Sequence, residues 1–190
     1  VRKVVLAMMT TLNGRLDDPA AWMTGLSDDQ YQEIVDGYAA FDTVLVGRVT
    51  YAEMAEDWPK ALDDPNAGET HRAMGRMMND YKKFVVTGSP QDKLEWNNSE
   101  AAVVTNDEEL RAFIDGLKAQ PGKDIHLSGG AKLAASMIRL GLVDEYRLFV
   151  YPVVSPGSTW LEPLTGRQLE PLAAKPFESG VVALYYRPRP

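Results

Sequence analysis

Between Asp124 and Phe149 the chain reads Asp-Ile-His-Leu-Ser-Gly-Gly, then Ala131 to Leu140, then Gly141-Leu142-Val143-Asp144-Glu145-Tyr146-Arg147-Leu148-Phe149. A short strand runs into two glycines, a helix leaves them, and a new strand follows a glycine stop. Strands alternating with helices point to a mainly parallel sheet covered by helices. The paired glycines have no side chains at the entry to a helix, so backbone N–H groups stay open there. Such a place suits an anion, most often a phosphate.

The same grammar runs through the rest of the chain. Val4 to Met9 reads as a buried strand, and Thr10 to Gly25 as a long irregular stretch holding Asn13-Gly14 and Trp22. Ser27-x-x-Gln30 has the form of a capping box, and Tyr31, Ile34, Val35, Tyr38 and Phe41 give the helix after it an apolar face. Thr43 to Val46, Lys83 to Thr87, Ala101 to Thr105, Ile125 to Ser128 and Tyr146 to Tyr151 read as further strands. Helices are expected at about Thr50 to Glu56, Glu69 to Asn79, Asn106 to Lys118 and after Gly130, with a loop at Trp58 to Gly68. Two apolar runs around Ser179-Gly180, within Phe177 to Tyr186, suggest a C-terminal hairpin adding antiparallel edges. The expectation is a single α/β domain spanning residues 1–190.

In open α/β sheets, ligands bind beyond the carboxyl ends of the strands. Three strands here end in glycine: Val46-Gly47-Arg48, Thr87-Gly88-Ser89 and Ser128-Gly129-Gly130. On one rim they could hold an extended ligand with several phosphates. Arg48 stands at a helix start, where the macrodipole disfavours a cation. A bound phosphate removes that conflict and accepts a bidentate contact. A solvated arginine paired with a nearby acid is the plainer alternative, and Thr50 either meets the phosphate or caps the helix.

Other chemistries find little footing. The net charge of −7 argues against nucleic acid and anionic lipid as partners. There is no cysteine and there are two separated histidines, so no metal site is expected. His126 reads as a packed core residue and His71 as an exposed helix residue. Neither a P-loop nor the Gly-x-Gly-x-x-Gly fingerprint occurs. The apolar run at Val4 to Met9 is too short for a membrane span.

Four segments, in order, carry a family resemblance: Leu6-Ala7-Met8-Met9-Thr10-Thr11-Leu12-Asn13-Gly14-Arg15; Gly47-Arg48-Val49-Thr50 after its strand; Ser128-Gly129-Gly130-Ala131; and Gly141-Leu142-Val143-Asp144-Glu145 with the strand to Pro152. The chain resembles the dihydrofolate reductase-like superfamily, most of all the reductase domain of the bifunctional riboflavin-biosynthesis deaminase–reductase and its stand-alone bacterial relatives. The resemblance implies NADPH as cofactor. Gly47, Arg48, Val49 and Thr50 would meet its pyrophosphate and adenosine side, and Ser128, Gly129, Gly130, Ala131 and Lys132 the pyrophosphate. Thr87, Gly88 and Ser89 would lie by the 2′-phosphate, and the Ala7 backbone by the nicotinamide amide. Asn13 stands where the riboflavin reductases usually carry aspartate, and the Pro-Gly-Arg of folate reductases is absent.

Hydride transfer needs mainly geometry: the nicotinamide must face an electrophilic carbon in a dry cleft. By the same resemblance an acid near the start of the first helix would help with the proton, which selects Asp29 over Asp28. Asn13 and Trp22 are the expected substrate-side residues. The expected function is NADPH-dependent reduction of a pterin-like or ribosylamino-pyrimidine substrate, by a cytoplasmic homodimer. A non-catalytic nucleotide-binding protein and a flavin-binding α/β domain are the alternatives.

Overall fold

In a computed structural model, which describes residues 1–90 and 93–190, eight strands form one sheet. Strands β1 (Val4–Thr11), β2 (Phe41–Gly47), β3 (Lys82–Thr87), β4 (Ser99–Val103), β5 (Asp124–Gly129) and β6 (Glu145–Tyr151) run parallel. Strands β7 (Leu169–Pro176) and β8 (Val182–Pro188) extend one side antiparallel, giving the order β4-β3-β2-β5-β1-β6-β8-β7. The helices are α1 (Pro19–Trp22), α2 (Asp28–Tyr38), α3 (Arg48–Asp57), α4 (Glu69–Asp80), α5 (Asp107–Ala119) and α6 (Ala131–Arg139).

Parallel strands are buried on both faces, and successive side chains go to opposite ones. Val44 and Val46 therefore join Ile34 of α2, Tyr51 of α3 and Met74 and Met78 of α4 on one face. Leu45 joins Ile114 of α5 and Met137 and Ile138 of α6 on the other. Neighbouring strands β2 and β5 thus send their following helices, α3 and α6, to opposite faces. A crevice opens at their carboxyl ends for that reason.

The sheet also splits at this point. β1 pairs with β5 only from Val4↔Ile125 to Leu6↔Leu127, whereas its pairing with β6 continues to Thr11↔Tyr151. The carboxyl half of β1 is left with an unladdered edge toward β5.

Some local expectations give way to tertiary contacts. Phe41 does not extend the α2 face; the helix ends at Tyr38 and Phe41 opens β2, its ring packed edge-on against Tyr38. Ser27 precedes α2 but the capping box does not form. Gln30 is fully buried and its side chain reaches Tyr151 and Ser179, while Ser27 Oγ accepts from the Ser179 N–H. The start of α5 is capped: Asn106 Oδ1 accepts from the Glu109 N–H, and Glu109 reaches back to Thr105. The C-terminal hairpin turns at Gly180, φ +85°, but its first arm is β7 rather than a run starting at Phe177. The expected loop after α3 holds a 3-10 turn, Lys60–Leu62.

Candidate active site

A groove of about 1110 Å³ occupies the crevice. Its floor is Ala7, Met8 and Met9 of β1. One wall is Gly47, Arg48, Val49 and Thr50 at the start of α3; the other is Ser128, Gly130, Ala131 and Lys132 at the start of α6. Thr87, Gly88 and Ser89 lie at one end, beside Asn106 and Asp107 at the start of α5; Leu16, Asp17, Asp18, Trp22 and Met23 lie at the other.

The two glycine turns abut. A Cβ on Gly47 would lie 3.5 Å from the Gly130 N, and a Cβ on Gly130 would lie 3.0 Å from Thr50 Oγ1. Side chains here would fill the space between the helix starts. Gly129 is buried behind the turn at φ +101°, a conformation that glycine takes without strain, and its peptide bond to Gly130 is cis. The N-termini of α3 and α6, with their free N–H groups and positive dipole ends, converge on one short stretch of groove. Arg48 and Lys132 are both exposed there, and neither has an ion-pair partner among the described residues. Asp107 across the groove is paired bidentately with Arg139, which holds its carboxyl below the usual range.

At the far end Trp22 is buried edge-on against Tyr151, ring centroids 5.3 Å apart, and its indole N–H donates to the Asp17 carbonyl. The hydroxyl of Tyr151 receives the Gln30 amide at 3.1 Å. A rigid aromatic wall results.

The expected proton-handling acid and one expected substrate-side residue lie elsewhere. Asp29 does not line the groove; its carboxylate caps its own helix start at the Gln30 N–H and accepts the Glu178 N–H at 3.1 Å. A hydrogen bond from Ser27, with these backbone bonds, holds its pKa down, so it ties α2 to the hairpin turn. Asn13 is taken up by the backbone of Ser155 and the Thr11 hydroxyl, and shapes the loop after β1. His126 is core, as its place in a strand suggests. His71 departs from expectation: it is half-buried on α4 and hydrogen-bonded to the Tyr31 hydroxyl at 2.7 Å. The spacing of Tyr31 within α2 is visible in sequence, but its partner 40 residues away is not. Among the described residues no cluster of acidic or histidine side chains suits a metal ion, and no helix is long and apolar enough to cross a membrane.

A family model described as the RibD C-terminal domain matches residues 2–177. An uncharacterized protein of Bacillus subtilis, YyaP, is 31% identical over 187 residues, covering 97% of this chain and 94% of that one. A second uncharacterized protein of the same organism, YwjB, is 28% identical over 156 residues, covering 80% and 78%. Among solved structures, a Shewanella protein assigned to riboflavin biosynthesis superposes with TM-score 0.73 at 14% identity over 99% of both chains. Dihydrofolate reductase from Enterococcus faecalis, complexed with NADP(H), superposes with TM-score 0.62 at 14% identity, over 99% of this chain and 97% of that one. The fold is dihydrofolate reductase-like.

Proposed function

The chain belongs to the RibD C-terminal domain family, and from that footing we propose that it is an NADPH-dependent reductase acting on a small pterin-like or ribosylamino-pyrimidine-like heterocycle. One observation carries the reading: two helix N-termini and a third glycine turn line a single groove that ends at an aromatic wall. The residues fit the cofactor. Without side chains at Gly47 and Gly130 the gap between the helix starts stays open for a pyrophosphate, and Arg48 and Lys132 bring charge with no ion-pair partner among the described residues.

NADPH, when bound, supplies the hydride. Gly47, Thr50, Ser128, Gly130 and Ala131 would form the cradle that holds it, with Gly129 shaping the turn from behind, and Val49 would cover its adenosine side. Thr87, Gly88 and Ser89 would flank the 2′-phosphate, and the unladdered edge at Ala7 would meet the nicotinamide amide. Trp22 and Met9 keep water from the reacting face. Asn13 supports this end from behind by fixing the loop, and Asp29 holds α2 against the hairpin; neither handles the proton. A homodimeric, cytoplasmic enzyme belongs to the same proposal.

The test has two stages on the full chain. NADPH binding is measured by nicotinamide fluorescence, and NADPH consumption is then followed with reduced pterins and ribosylamino-pyrimidines. Binding with turnover is expected. Binding without turnover on any of them would leave a nucleotide-binding protein, and absence of binding would end the cofactor reading.

A further inference from the structure

The two ends of the groove carry opposite charge. Among the described residues Arg48 and Lys132 are the cations that line it, and both stand at the phosphate stretch. The end beside Trp22 and Met23 is lined by Asp17 and Asp18 instead. Asp17 is already engaged: its carboxylate pairs with Arg15, and its carbonyl accepts the Trp22 indole N–H at 2.9 Å. Arg15 also donates to the Ser158 carbonyl at 2.7 Å and lies over Gly157, where a Cβ would overlap it. That guanidinium is taken up by the loop and does not line the groove.

Asp18 differs. Its backbone is left-handed, φ +49° and ψ +56°, directly before Pro19. Few residues other than glycine adopt that conformation, and a following proline favours extended backbone. The loop is held on both sides of it, by the Arg15–Asp17 pair and by the Ala21 N–H, which donates to the Asp18 carbonyl at 3.0 Å. An aspartate before a helix usually turns its carboxylate onto the helix N–H groups. Asp18 does not cap α1, and its carboxylate has no hydrogen-bond or ion-pair partner among the described residues. A strained backbone thus presents a free carboxylate to the groove beside the Trp22 wall. Strain of this kind collects at ligand-binding positions.

We propose that Asp18 is the specificity-determining residue of the groove: its carboxylate accepts the N–H groups of a planar nitrogen base beside Trp22, and it turns away molecules that present a phosphate or carboxylate there. An amidine-like N–C–N edge meets both carboxylate oxygens at once. Asp29 cannot share the role, because its carboxylate is bound up at the start of α2. The substrate class is thereby narrowed to cationic or amino-substituted planar bases with no anionic group at the reacting end. This assignment rests on reading the groove as the reductase site.

Benzamidine, benzamide and benzoate share one shape and differ in charge. Their titration against the full chain without NADPH, followed by ligand-observed NMR, tests the residue. Benzamidine should bind, about tenfold or more tighter than benzoate, with benzamide between them. Asp18→Asn keeps the size and suits the left-handed backbone; it should weaken benzamidine about tenfold and bring it within about threefold of benzoate. Glu53→Gln, which removes another unpaired carboxylate along the groove, should keep the gap. Asp18→Gly should also lose the gap while raising the thermal midpoint by about 2–4 °C, since glycine relieves the backbone. NADPH affinity, measured in parallel, should stay within about twofold in every variant, which places the loss at the far end of the groove. No benzamidine binding to the wild type, a gap that survives Asp18→Asn or vanishes in Glu53→Gln, or a lower midpoint in Asp18→Gly overturns the proposal. Because the probes are titrated without cofactor, failure of the wild type to bind NADPH would strike the cofactor reading, while the charge preference at Asp18 is read separately.

Discussion

Acid should loosen this protein through one buried ring. His126 sits in β5 at 1% exposure, stacked on Phe41 with centroids 5.2 Å apart, and Nε2 is hydrogen-bonded to the Tyr38 hydroxyl at 2.7 Å. Nδ1 has no hydrogen-bond partner among the described residues, so a second proton there would be buried without an acceptor. Burial, and secondarily the nearby Arg147 guanidinium, push its pKa from 6.5 down to about 3. The unfolded chain takes up a proton near pH 6.5 and the folded chain does not until about pH 3. Stability is therefore whole above pH 6.5 and falls as pH drops toward 3. Each pH unit in that window costs about 1.4 kcal/mol, so the step from pH 7 to 4.5 removes on the order of 2–3 kcal/mol. Urea unfolding at both pH values, for wild type and His126→Gln, isolates this contribution, since every other carboxylate and histidine is common to both. The wild type should lose roughly 2–3 kcal/mol more than the variant over the step. Equal losses in the two proteins would refute the reasoning.

The other predictions bear on the groove and its supports. Arg48→Ala should weaken NADPH binding; loss confined to NADPH would place Arg48 at the 2′-phosphate, equal loss of NADH would place it at the pyrophosphate, and no loss would remove it from the cofactor site. Gly129→Ala should destabilise by about 1–3 kcal/mol in thermal unfolding, because its φ of +101° strains any side chain and the Cβ would meet Met8 Cε at 3.4 Å. Lys83 is fully buried and donates to the Met78, Asn79 and Tyr81 carbonyls at 2.9, 3.3 and 2.7 Å, so Lys83→Met should cost about 2–3 kcal/mol at neutral pH. Burial lowers the Lys83 pKa from 10.5 to about 8, so the folded wild type sheds its proton before the unfolded chain does. Wild-type stability should consequently rise from about pH 8 to 10 relative to the methionine variant. Asp29→Asn should keep NADPH-dependent turnover within about twofold while increasing proteolysis at the hairpin turn; a collapse of turnover in a folded variant would return Asp29 to the proton path.

The groove was legible in sequence because each of its walls is a local signal: a buried strand, a glycine, a helix start. Gly47, Thr87 and Gly130 each announce themselves within a few residues. What escaped reading depends on partners far along the chain. Gln30 looks like the second half of a capping box until Tyr151 and Ser179 claim its amide, contacts 121 and 149 residues away. Asp29 reads as a free helix-start acid until the hairpin donates the Glu178 N–H. The first arm of that hairpin, Leu169–Pro176, escaped because its two prolines and mostly exposed side chains give no buried period; proline is tolerated on an edge strand such as this.

The three rungs between β1 and β5 are also a seam between two lobes. On one side β1 is bound to β6 and the antiparallel strands; on the other β5 is bound to β2, β3 and β4. Widening the groove strains the Val4↔Ile125, Val5↔His126 and Leu6↔Leu127 rungs. A ligand lying across Ala7 and Ser128 stitches the lobes where their own ladder stops, like a clasp above a short hinge. Its grip should appear far from any ligand contact, as slowed amide exchange at the rung of Leu6 and Leu127, while the rungs between β3 and β4 exchange as before.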